Sequence, residues 1–107
     1  MTENVSNQWD GLPGADLIQQ GLADLRGERV TEHSLLVLVG EPRLRALDIS
    51  FPEFRLVFTE PVEHTLYGLL ETQYGQDAYS RYNSLLRRMN SFAHALEREK
   101  SAANRAR

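Results

Sequence analysis

The sequence contains no cysteine. Disulfide scaffolds, thiol nucleophiles and thiolate metal sites are therefore outside its chemistry, and its fold does not depend on the redox state of its surroundings. Long apolar runs are missing too. The longest, Leu35 to Val39, is far too short to cross a bilayer. The opening MTENVSNQWD is polar and acidic, where a secretion signal would be basic and then apolar. The expectation is a cytoplasmic protein without membrane contact. Asn4-Val5-Ser6 matches a glycosylation sequon, which carries no weight without a secretion signal.

Catalytic devices are equally scarce. There is no G-x-S-x-G elbow and no glycine-rich loop to hold an oxyanion or a phosphate. His33, His64 and His94 are widely separated in the chain. Only Glu60 with His64 and His94 with Glu97 have helical ligand spacing, and neither pair reaches the three or four ligands of a zinc site. Asp10 with Asp16, and Glu60 with Glu63, sit in polar sequence where nothing would raise a carboxyl pKa. The residues point away from an enzyme and imply neither cofactor nor metal.

What the sequence does have is helical periodicity. Tyr79, Tyr82, Leu85, Leu86, Met89, Phe92, Ala93 and Leu96 recur at steps of three and four, which puts them on one face of a helix. No proline or glycine follows Gly75, and Ala, Leu, Arg, Glu and Lys dominate from Leu85 onward. The spacing predicts one long amphipathic helix from Asp77 to about Lys100, on which the rest of the chain folds.

Upstream, Pro13 opens a helix to Arg26 in which Ala15, Ile18, Leu22 and Leu25 face inward and Asp16, Gln19, Gln20 and Asp24 outward. Gly27 closes it. Gly21, inside this helix, costs about 1 kcal/mol relative to Ala, which implies close approach by another helix. Thr31 reads as an N-cap. The apolar run from Ser34 to Val39 suits a buried strand or a short helix, and Thr31, Gly40 and Pro42 favour the helix. Pro42 opens a further short helix to Leu47.

Ile49 to Phe58 alternates apolar and polar residues around Pro52-Glu53, a pair that is not a favoured hairpin turn. This predicts an aromatic loop lying on the core. A helix then follows from Pro61 to Tyr74, capped by Thr59 or Glu60, with Val62, Leu66, Leu69, Leu70 and Tyr74 on one face.

The expected fold class is all-α, a small bundle of four or five helices with a long C-terminal helix. The alternative is α+β with a short hairpin around 49–58. Residues 1–12 are expected as a flexible tail, 13–100 as a single domain and 101–107 as a frayed basic tail. Trp9 is expected either to tether the first of these to the domain edge or to anchor a partner.

Charge is unevenly placed. From Arg81 onward seven cationic side chains outnumber Glu97 and Glu99 by five, so a net charge of −3 leaves −8 on the rest. The terminal helix therefore contacts something anionic or docks on its own acidic body. The functional expectation is a non-enzymatic interaction or regulatory module, homo-oligomeric or bound to another protein. Arg81 and Arg88 share a flank, and with Arg87 and Trp9 they are the candidate contacts.

The competing expectation is nucleic-acid binding through the basic C-terminal helix or a degenerate helix-turn-helix at 31–49. In the latter, Glu41 stands where an apolar residue normally follows the turn glycine, and Leu36 where a small residue lets the helices cross. Glu32, Glu41 and Asp48 also oppose Arg43 and Arg45 there.

Overall fold

The computed structural model describes Trp9 and residues 11–105, with side-chain exposure through Ala103. The helices are α1 (Ala15–Arg26), α2 (Glu32–Val39), α3 (Glu41–Ala46), α4 (Val62–Tyr74) and α5 (Ala78–Arg105), with a 3₁₀ turn at Gly75–Asp77 between the last two. The fold is all-α, and no strand occurs among the described residues. The hairpin alternative at 49–58 therefore falls. The alternation there serves packing, not pairing: Phe51, Phe54, Leu56 and Phe58 lie half-buried against the core while Arg55 and Val57 point outward.

α2 is the central element. Leu35, Leu36 and Val37 are fully buried, and the helix packs against each of the other four. A helix that is apolar all round has to be covered on every side. Its start is fixed by a capping box: the Ser34 amide donates to Thr31 Oγ1 at 3.1 Å, and the Thr31 amide donates to Ser34 Oγ at 2.9 Å. The organising role expected of the terminal helix is thus shared with α2.

α5 runs the length of the molecule. Its 28 residues span about 42 Å at 1.5 Å per residue, close to the 48 Å long axis. Leu85, Met89, Phe92, Ala93 and Leu96 are buried, and Tyr82 and Leu86 are half-buried. Tyr79 does not join this stripe and is 66% exposed. Ala78 takes the core position at the start of the helix, and one further residue rotates the next side chain by about 100° into solvent. Tyr74, expected on the inner face of α4, is also exposed, at the end of that helix. α5 continues through Arg105, past the expected limit at Lys100.

Two helix starts differ from expectation. α1 begins at Ala15, after Gly14 in the left-handed region at φ 76°, and not at Pro13. Pro61 itself stands at the N-cap of α4, with no side-chain cap bond from Thr59 or Glu60. Gly21 meets its expected neighbour. A Cβ there would run into the backbone carbonyl of His33 and lie 2.7 Å from Val37 Cγ1, so glycine is what lets α1 cross α2. Trp9 is buried, edge-on to Phe92 with ring centroids 5.3 Å apart. The other residues of the expected N-terminal tail up to Asp10, and Ala106 and Arg107 at the other end, lie outside the described residues.

Candidate interaction surfaces on the last two helices

Most of the charge near the core is spent on holding helices together. Asp24, expected on the outer side of α1, is buried. The loop after α1 folds back over it. Its carboxylate accepts from Gln20 Nε2 at 2.9 Å, Thr31 Oγ1 at 2.6 Å, and Arg29 Nε and Nη2 at 3.3 and 3.2 Å. Burial pushes the Asp24 pKa up, but the bonds from Thr31, Gln20 and Arg29 outweigh it and hold the group below the ordinary carboxylate value.

Glu32, on the first turn of α2, receives Arg81 of α5 as a two-pronged pair, Nε to Oε1 at 3.1 Å and Nη2 to Oε2 at 2.9 Å. The hydrogen bond from Arg81 is the main reason the Glu32 pKa is lowered, and it outweighs the opposing effect of burial. The Arg81 pKa is raised by the same bond. The Arg81 guanidinium also lies 5.2 Å from the Tyr74 ring centre.

Arg88 pairs with Asp16 of α1 at 3.6 Å, and Lys100 with Asp48 after α3 at 3.3 Å. The basic terminal helix therefore docks on its own acidic body. Of the four candidate contacts, Arg81 and Trp9 are used inside the molecule, and Arg88 is engaged loosely at its surface.

Arg87 remains, and the structure gives it company. Arg87, Asn90, Ser91, His94 and Arg98 form the exposed back of α5, with Arg43 of α3 on one side and Pro13 on the other, around a shallow groove of about 590 Å³. A smaller adjoining groove adds Ser84 and Arg88. Among the described residues, Arg87 and Arg98 have neither ion pair nor hydrogen bond. Arg43 reaches Glu97 and Asn90, each at 3.4 Å, while His94 Nδ1 lies 4.0 Å from Glu97. The sequence shows arginines scattered around a polar arc; the fold adds Arg43 and makes a basic surface.

The second surface lies between α4 and the start of α5, and nothing in the sequence analysis singled it out as a site. Tyr67, Tyr79 and Tyr82 line a groove of about 620 Å³, together with Glu60, Glu63, Glu71, His64 and Gly68. Tyr67 and Tyr82 meet edge to face at 5.5 Å between ring centres. None of the three glutamates has a side-chain partner among the described residues. Gly68, midway along α4, is exposed, and a Cβ built on it meets no atom within 4 Å. The signal in the sequence is a glycine inside a helical pattern, as at Gly21.

No group of three or more metal-capable side chains occurs among the described residues, and no described helix is long and apolar enough to cross a membrane. No protein-family model matches the chain, and neither a curated protein nor a solved structure matches it.

Proposed function

We propose that this chain is a non-enzymatic, cytoplasmic protein-interaction module that receives a cationic helix of a partner in the groove between α4 and α5. The observation that carries this reading is Gly68. A glycine inside a helix costs about 1 kcal/mol relative to alanine. At Gly21 that cost is offset by the crossing of α1 over α2, whereas at Gly68 no described residue packs over the position. A bare stretch of backbone in the lining of a tyrosine-bearing groove is suited to close approach from outside. The unpaired carboxylates of Glu60, Glu63 and Glu71 favour a positive partner, and the tyrosine faces favour lysine or arginine over them.

The test is a titration with a helical peptide of lysine and leucine, followed by NMR of the isotope-labelled full chain. Shifts gathered on α4 and around Tyr79 and Tyr82, and abolished by Gly68→Trp, are the expected result. Shifts spread over the whole surface, or unchanged in the tryptophan variant, would remove the groove from consideration.

A second reading, nucleic-acid binding by the back of α5, is favoured by the unpaired Arg87 and Arg98. Two phosphate contacts would give duplex affinity a slope of about −1.8 in log–log salt dependence. Labelled DNA and RNA that fail to shift at low salt would dismiss it.

A further inference from the structure

We infer that the occupant of the α4/α5 groove is a second copy of this chain, which inserts the basic back of its own α5. This inference rests on the groove reading above and names the partner for it. The two surfaces are opposite in sign, arginines on the back of α5 and glutamates around the groove. The exposed back of α5 presents Arg87, Arg88 and Arg98, with the small side chains of Ser84 and Ser91 between them. Small residues along a helix allow close approach, and the receiving groove has the exposed Gly68 in its lining. Arginines seated this way would reach tyrosine faces, a contact that Arg81 and Tyr74 already make within the molecule. Glu60, Glu63 and Glu71 then find the partner charges that they lack among the described residues.

The surfaces also point in different directions. At 100° per residue, Tyr79 and Tyr82 lie about 130° around α5 from the line of Arg87, Ser91 and Arg98. A molecule that offers its groove to one neighbour leaves its basic back free for another. Such a contact is head-to-tail, and it grows beyond a pair unless the rotation happens to close a ring.

Sedimentation and light scattering of the full chain test this. At about 20 mM salt the average mass is expected to climb with concentration past that of a dimer. At about 0.5 M salt, where the Debye length is roughly 4 Å, it is expected to fall towards 12.2 kDa.

Reversing one surface at a time, with Glu63→Lys plus Glu71→Lys or with Arg87→Glu plus Arg98→Glu, is expected to weaken association at least about tenfold. A chain carrying all four substitutions is expected to associate again, because each reversed surface now meets its reversed complement. Gly68→Trp, which blocks the groove without altering charge, is expected to abolish association and serves in place of any reversed chain that circular dichroism shows to be unfolded.

A wild-type mass of 12.2 kDa at every concentration would overturn the inference. So would association that survives the tryptophan variant, or a fourfold variant that folds yet stays apart. Monomeric protein that still binds the lysine-leucine peptide in the groove would sink only the second copy as occupant. Monomeric protein indifferent to that peptide would sink the groove as well.

Discussion

The seam between α1 and α2 and the groove between α4 and α5 are each built around a glycine in the middle of a helix, and they are opposites. At the seam, Gly21 is buried beneath the His33 carbonyl and Val37. Nearby Asp24 carries a full set of hydrogen bonds, and Thr31 and Ser34 satisfy each other. At the groove, Gly68 is bare and three glutamates lack partners among the described residues. The same residue type thus marks a contact already made in one place and, on the function proposed above, a contact left for a partner in the other. A helix-interior glycine informs about function only once its surroundings are known.

Substitutions can break that comparison, beginning at the seam. Gly21→Ala is expected to cost about 3 kcal/mol, because a methyl group forced against backbone carbonyl drives the helices apart. Urea unfolding gives the value, and a loss under about 1 kcal/mol would mean that the seam yields easily.

Asp24→Ala comes next at about 2 kcal/mol, since it strips Thr31, Gln20 and Arg29 of a shared acceptor. Asp24 and Glu32 also set the response to acid. Both have pKa values lowered by folding, from ordinary values of 3.8 and 4.5, so the unfolded chain binds protons first as pH falls. Their stabilisation is complete above the ordinary values and lost as pH drops through the lowered ones. The urea midpoint should hold between pH 7 and about pH 5 and then fall, less steeply in Glu32→Gln. A Glu32→Gln curve parallel to wild type down to the acid limit would show that the Arg81 pair does not survive in solution.

Arg81→Ala should lose about 1 kcal/mol. The pair has good geometry, but its arginine side chain is 34% exposed and screened by water. Thermal unfolding at low and high salt should show that loss shrinking as salt is added.

The bundle was legible in the sequence wherever one element's own pattern decided the outcome. Leu85, Met89, Phe92 and Leu96 repeat at helical steps and are buried at those steps. Thr31 caps α2, and Gly21 marks a crossing. What escaped depends on neighbours distant in the chain or on phase at a helix start. Asp24 looks outward on a helical wheel, but residues 29–31 fold over it. Arg43 reaches the back of α5 from 54 residues away, so no local spacing links it to Arg98. Tyr79 fits the stripe by spacing and misses it because Ala78 takes the first buried place. Gly68 stands out as a glycine inside a helical pattern, but the sequence does not say which glycines the chain itself will cover.

The most direct measurement is therefore also the smallest effect. Gly68→Ala adds a methyl group where no atom lies within 4 Å and removes the conformational freedom of a helix-interior glycine. Thermal unfolding in high salt, which would suppress the proposed association, should show it stabilised by about 0.5–1 kcal/mol, a rise in Tm of roughly 2–8 °C for a domain of this size. A Tm lower than that of wild type would mean that the folded monomer itself needs this glycine, and the open groove would lose its meaning.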